Sequence, residues 1–226
     1  SDAYPAAGSL QRGRRRRHIT RGTGGLSQES EPSVNHPSQV PVLAGLEELW
    51  YEAGAIWDQY HGRGEFFNFV ASDYRAVYQT LAGLRGQAET VLEWGSGLGV
   101  VAIMAARLGF DAYGIEIEPK LVELAEGLAR RYNAQVEFAL GSYVPGDYEL
   151  DPELVDADFR TSLDDAPAYD ALDMELRDFD VVFVYPWPNE RALHQDIMRQ
   201  CGGSHSLFVT FDVREGLTIE RLRRGR

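Results

Sequence analysis

From residue 42 onward the apolar positions change period several times, and each change marks an element. Leu46, Leu49, Trp50, Ala53, Ile56, Trp57 and Tyr60 recur at spacings of three and four, which places them on one face of a helix. Gly62 and Gly64 end that helix, and the aromatic patch Phe66-Phe67-Asn68-Phe69-Val70 follows. Ser72 offers an N-cap for a second helix that reaches about Leu84.

From Thr90 the pattern alternates. Strands are predicted at Thr90–Trp94, Ala112–Glu116, Val136–Leu140, Asp180–Tyr185 and Ser206–Phe211, with Leu217–Leu222 a candidate for a last one. Helices are predicted at Val100–Leu108, Pro119–Tyr132 and Glu190–Gln200. After Asp180 the fourth strand runs apolar through Val181–Tyr185, as in a parallel strand buried on both faces. This order predicts an α/β fold: a mostly parallel sheet with helices on both faces, preceded by N-terminal helices.

One connection carries chemistry. Glu93-Trp94-Gly95-Ser96-Gly97-Leu98-Gly99 follows the first strand and opens a helix. Glycines there let backbone approach a ligand, since no Cβ stands in the way, and the helix start adds oriented N–H groups. Ligands of such sheets lie beyond the carboxyl ends of the strands. Glu116 closes the second strand, where a carboxylate can accept hydrogen bonds from ribose hydroxyls. A dinucleotide site shares that carboxylate and that spacing. Its fingerprint wants a third glycine at position 100, where this chain has Val100, and the third glycine falls instead at 99. A carboxylate at Glu93 gives nothing to a pyrophosphate, but it suits a cationic ligand with an amino group and a sulfonium. S-adenosylmethionine (SAM) is such a ligand.

The stretch Val91–Tyr132 closely resembles the class I, Rossmann-like SAM-dependent methyltransferases, and the likeness extends loosely from about Phe66 to Phe211. The resemblance implies that Glu93, Ser96 and the backbone of Gly95, Gly97 and Gly99 hold the methionine part of SAM, and that Glu116 holds the ribose. It places Gly141-Ser142-Tyr143 beside adenine, with Ser142 where the family commonly has Asp. Glu118 is expected to face solvent or to cap the next helix. Phe69–Tyr74 also resembles a substrate-side element of certain lysine methyltransferases. Ser72 and Asp73 are read first as a helix cap and second as a cofactor contact.

After the fourth strand stands Tyr185-Pro186-Trp187-Pro188. Many amino-group methyltransferases carry Asn/Asp-Pro-Pro-aromatic there, gripping the target nitrogen. Here Tyr185 offers a hydroxyl and Trp187 a face for a substrate or its cation; both are candidate substrate-positioning residues, with loop packing the alternative. The absent Asn/Asp argues against a nucleic-acid base or glutamine as acceptor. Asp180 is expected to be structural. His194 lies in a helical pattern and is expected at the surface. No His, Cys and Asp cluster has metal-ligand spacing, so no metal is expected.

Composition adds organisation. Residues 1–41, rich in Arg, Gly, Ser and Pro, are expected to be a disordered tail. Residues 42–88 supply N-terminal helices and a substrate-side lid, and 89–226 the SAM-binding domain, with an acidic, solvated insertion at about 146–179 that includes Asp147, Glu149, Asp151, Glu153, Asp164, Asp165 and Asp173. The net charge of −13 suits a soluble body and disfavours a nucleic-acid partner. There is no apolar run of the ~18 residues a membrane span needs, and no signal peptide is read. The single Cys201 is compatible with a reducing cytosol. The expectation is a cytoplasmic SAM-dependent methyltransferase acting on an N or O nucleophile of a protein or small molecule. An NAD(P)-dependent oxidoreductase and a non-catalytic SAM-binding protein are the alternatives.

Overall fold

The computed structural model describes residues 40–60, 73–155, 159–163, 166–187, 189–212 and 215–222. The chain divides at His36/Pro37 into two units, and every described residue lies in the second. The aromatic patch 66–70, Ser72 and Pro188 fall outside the described residues, as do all but Val40 and Pro41 of the proposed tail.

Two helices come first, α1 (Leu46–Tyr60) and α2 (Tyr74–Leu84). Asp73 caps α2, its side chain accepting from the Ala76 N–H at 3.1 Å. Val40 is pinned to α2 by a pair of 2.8 Å hydrogen bonds with the Gln79 amide, and the Tyr78 hydroxyl donates to the Pro41 carbonyl.

The sheet comprises β1 (Thr90–Trp94), β2 (Asp111–Glu116), β3 (Val136–Leu140), β4 (Val181–Val184), β5 (Leu207–Asp212) and β6 (Gly216–Glu220) in the order β3-β2-β1-β4-β5-β6. The first five strands are parallel, and β6 returns antiparallel against β5. Helices α3 (Val100–Leu108), α4 (Pro119–Arg131), α5 (Tyr169–Leu172) and α6 (Arg191–Cys201) fall between strands. Gly109, in left-handed backbone, stops α3, and Pro119 opens α4. β4 is one residue shorter at each end than the predicted Asp180–Tyr185. Asp180 turns its carboxylate to the Glu89 and Thr90 amides, tying the starts of β1 and β4, and Pro186 restricts Tyr185 at the other end.

Each sheet face carries its own core. Helices α1 to α4 pack Leu49, Leu81, Ile103 and Leu128 against Val91, Val181, Phe183 and Val209. On the opposite face α5 and α6 bury Tyr169, Leu172, Leu193 and Ile197 against Leu92, Val182 and Phe208. The acidic stretch divides along the same line: Asp147, Glu149, Asp151, Glu153 and Asp173 are exposed, while Tyr169, Leu172, Leu176 and Phe179 are buried. It is therefore a packed half of the second face as well as a solvated surface. Strand order reverses between β1 and β4, and that switch point is where such sheets bind ligands.

Candidate cofactor site

Successive residues of a strand point to opposite faces, so β1 delivers Glu93 to the α3 side and Trp94 to the α6 side. Glu93 is buried, and its Oε2 accepts from the Ala102 N–H at 2.8 Å. Ala102 sits in the first turn of α3, whose opening amides lack intrahelical partners. The carboxylate thus caps the helix, which the helix dipole favours. Burial pushes its pKa up to about 8; the Ala102 and Val101 amides oppose the rise and the Glu116 charge adds to it.

Beyond Trp94 the chain turns through Gly95, Gly97 and Gly99 at φ +59°, +54° and +69°, the left-handed region that other residues rarely adopt. A β-carbon on Gly99, or on Gly114 of β2, would run into the Phe138 ring, which fills the space beneath the loop. A β-carbon on Gly95 would meet nothing within 4 Å. The loop is stitched to β2 by the Ser96 N–H on the Ile115 carbonyl at 2.9 Å. Glu116 completes the seam: Oε2 accepts from the Gly97 N–H at 2.7 Å, and Oε1 from the Ile117 and Glu118 amides at 2.8 and 3.0 Å. Burial raises the pKa of Glu116, while these amides pull it back. Glu118 occupies the N-cap position of α4 without a side-chain hydrogen bond there. The Ser96 hydroxyl is buried with no hydrogen-bond partner among the described residues.

The predicted residues after β3 behave unequally. The Ser142 hydroxyl donates to the Ser162 carbonyl at 2.8 Å and accepts from the Val144 N–H at 3.1 Å. Its backbone pairs with Ala166 and Ala168. Through these bonds the Ser142 side chain, expected beside adenine, also clamps the insertion to the sheet. Tyr143 lies flat against Trp94, centroids 5.0 Å apart and planes 14° apart. Trp94 in turn donates its Nε1–H to the Tyr169 hydroxyl, which donates to the Tyr143 carbonyl.

Four residues near this end were not singled out as site residues from the sequence. Tyr74, opening α2, is close enough to Glu93 that burial and then the Glu93 charge raise its pKa. Thr161 and Glu190 are buried and share a 2.6 Å hydrogen bond. His194 corrects the surface expectation, being 1% exposed. Its Nδ1 lies 2.6 Å from the Glu190 carbonyl and its Nε2 2.9 Å from the Tyr143 hydroxyl, and burial lowers its pKa to about 4. The periodicity of α6 held the signal, since His194 shares a stripe with Leu193, Ile197 and Met198. Nothing in the sequence marks Thr161.

On the acceptor side, Tyr185 packs edge-on against Phe211 at 5.3 Å. Burial and the Asp212 charge raise its pKa. Trp187, expected to offer a face to a substrate, carries the chain's own Arg160 guanidinium over its ring, 4.6 Å from the centroid. Among the described residues no helix is long and apolar enough to cross a membrane.

No protein-family model matches the chain. Over 53 residues it is 47% identical to the ribosomal protein L11 methyltransferase of Cupriavidus pinatubonensis, covering 23% of this chain and 18% of that protein. Over 119 residues it is 28% identical to the ubiquinone biosynthesis O-methyltransferase of Xanthomonas oryzae pv. oryzae, covering 52% of this chain and 46% of that protein. The chain thus spans less than half the length of these curated relatives. The structure of the SAH-bound Podospora anserina methyltransferase PaMTH1 superposes with a TM-score of 0.50 at 12% identity, over 76% of this chain and 64% of that one, a likeness of fold. The chain thus shares its fold with a SAM-dependent methyltransferase and is similar over part of its length to curated methyltransferases, and its glycine loop, two flanking carboxylates and sheet order resemble those of the class I, Rossmann-like superfamily.

Proposed function

We propose that the chain binds SAM at the β1–α3 loop and transfers its methyl group to an N or O nucleophile of a protein or a small molecule. The observation that carries this is the pairing of two buried carboxylates, Glu93 and Glu116, with a loop of left-handed glycines at the sheet's switch point. Two acids at one loop suit a ligand bearing positive charge and ribose hydroxyls, and they oppose a pyrophosphate. The buried Ser96 hydroxyl, without a partner among the described residues, is a further fit, since a ligand group at the loop can satisfy it.

In this reading Gly95, Ser96, Gly97 and Gly99 cradle the aminoacyl part, and Glu116 accepts from the ribose. Glu93 acts through its charge beneath the loop, and Tyr143 walls the adenine side. SAM supplies an electrophilic methyl group on a sulfonium. The protein's part is to align the acceptor with that methyl and to exclude water. Tyr185 and Trp187 stand at the end of β4 where an acceptor would be positioned. The Arg160 guanidinium over Trp187 favours a neutral or anionic group there over a cationic one.

Calorimetric titration with SAM, S-adenosylhomocysteine (SAH) and NAD(P) tests the cofactor. Binding of SAM and SAH without NAD(P) is the expected result; binding of NAD(P) alone sinks the proposal. Labelled SAM in a cell lysate then identifies the acceptor. Cofactor binding with no transfer to protein, metabolite or nucleic acid would leave a non-catalytic SAM-binding protein.

A further inference from the structure

Amides of the cofactor loop are already spent inside the protein. The Ser96 N–H donates to the Ile115 carbonyl, the Gly97 N–H to Glu116 and the Gly99 N–H to the Ser96 carbonyl. At the start of α3 the Val101 and Ala102 amides serve the Glu93 carboxylate. A helix start is a ready site for an anion, and this one already holds a carboxylate of its own chain. The ligand proposed above carries an aminoacyl group, cationic at its nitrogen and anionic at its carboxylate. Glu93 and Glu116 suit the nitrogen and repel the carboxylate. The carboxylate therefore calls for a donor beyond these amides.

Tyr74 stands where that donor is needed. α2 closes at Leu84 and β1 opens at Thr90, and between them the Gln87 and Ala88 amides both turn back to the Leu84 carbonyl. The end of the helix thus lies beside the start of the strand. From there back to Tyr74 the 11 residues of α2 rise about 15 Å, against roughly 13 Å for the 5 residues of β1. Tyr74 is thereby level with the loop. Its ring stacks on Trp50 with centroids 6.4 Å apart, and Trp50 donates its Nε1–H to Met104 Sδ of α3 at 3.2 Å. Its hydroxyl is within reach of the Glu93 charge and makes no hydrogen bond among the described residues. Burial, and then that charge, raise its pKa, so the phenol stays protonated and remains a donor. The cation next to it is committed: Arg75 pairs with Glu47 and lies over Trp50, 5.5 Å from the ring centroid.

We propose that Tyr74 is a cofactor-binding residue whose phenol donates a hydrogen bond to the carboxylate of the aminoacyl group of SAM, while Glu93 attracts the amino group on the same carbon. The proposal rests on the SAM reading of the loop. It divides the zwitterion between two parts of the fold: the amino group goes to β1 and α3, the carboxylate to the head of α2. Cofactor binding then fastens α2 to the loop through the ligand itself.

Tyr74→Phe tests the contact, since it removes the hydroxyl and keeps the ring on Trp50. Unfolding in urea should be the same for wild type and variant. Calorimetric titration of both proteins uses two ligands: SAH, and the SAH analogue with hydrogen in place of the carboxylate. In the variant SAH affinity should fall by roughly 10- to 100-fold, the worth of a hydrogen bond to a charged group. The decarboxylated analogue should bind wild type and variant equally. Equal SAH affinities overturn the proposal and leave the carboxylate to the loop's own amides. An equal fall for both ligands also overturns it, because the hydroxyl then serves the amino group or the loop. A wild type that binds neither ligand sinks the SAM reading, and the proposal with it.

Carbon-13 NMR at Tyr74 Cζ gives a check that needs no substitution. The signal should move when SAH binds and far less when the analogue binds. Equal movement with both ligands, or none with SAH, overturns the contact.

Discussion

Adjacent residues of one strand, Glu93 and Trp94, open onto two different kinds of site. On the α3 face Glu93, Glu116 and the glycine loop are joined carboxylate to backbone amide, over 1 to 19 residues of sequence. On the α6 face Trp94, Tyr143, Tyr169, Thr161, Glu190 and His194 are joined side chain to side chain, from segments 18 to 75 residues apart. The first arrangement is what local chain geometry can build, and it recurs wherever a strand–loop–helix binds a nucleotide. The second depends on how this chain folds its insertion back over the sheet. The difference teaches where to expect a shared cofactor and where to expect what is particular to this protein.

The largest expected effect breaks the first side at its backbone. Gly99→Ala puts a β-carbon into the Phe138 ring at a left-handed φ of +69°. Strain and overpacking together should cost about 2–4 kcal/mol, read by urea unfolding. A loss under ~1 kcal/mol would mean that Phe138 yields readily, and that the loop is less fixed than its geometry implies. Next comes Glu116→Ala, which strips an acceptor from the Gly97, Ile117 and Glu118 amides and from the proposed ribose contact. SAH affinity should fall on the order of 100-fold, about 2.7 kcal/mol. Unchanged affinity would move the ribose elsewhere.

The same contrast explains what could be read from sequence. Strand–helix alternation put β1, α3 and β3 at the bounds the structure shows, because each is a run of one period closed by a glycine, a proline or a charge. Glu116 was legible because its place follows from the strand's end. The bond from the Ser142 hydroxyl to Ser162 was not, since it reaches a segment with no periodic pattern. His194 was visible as part of a buried stripe but passed over because histidine is polar; only the Glu190 carbonyl and the Tyr143 hydroxyl explain its burial. The exposed acids of residues 146–179 masked the buried Tyr169, Leu172 and Leu176 among them.

A third test uses pH to separate charge from contact. Glu93 has a folded pKa of about 8, above its ordinary 4.5. The stability this residue contributes is full below the ordinary value and is lost as pH rises through about 8. A bound cation favours the carboxylate, so SAM binding should release a proton between roughly pH 5 and 8. SAM affinity should then climb with pH, by up to about tenfold per unit, and level off above 8. Calorimetry in buffers of differing ionisation heat measures the proton. Glu93→Gln should flatten the climb and make the ligand-free protein more stable at pH 8, by on the order of 2 kcal/mol. A climb that survives Glu93→Gln would assign the proton to another group and weaken the case for a cationic ligand.

The smallest expected effect lies where the two sides meet, at the end of β4. Tyr185 touches Phe211 through its ring, and its hydroxyl feels Asp212. Tyr185→Phe keeps the ring contact, so stability should change by less than ~0.5 kcal/mol and SAH affinity should not move. Once an acceptor is identified, the hydroxyl has one remaining way to matter. If it positions the nucleophile, kcat falls while SAH affinity holds; if Tyr185 only packs, kcat holds as well. Trp187→Phe is the matched control, because it retains an aromatic face for Arg160. A fall in kcat for Tyr185→Phe alone would assign acceptor positioning to the hydroxyl. Equal falls in both would assign it to the aromatic wall of the loop, and so to the face that the insertion covers.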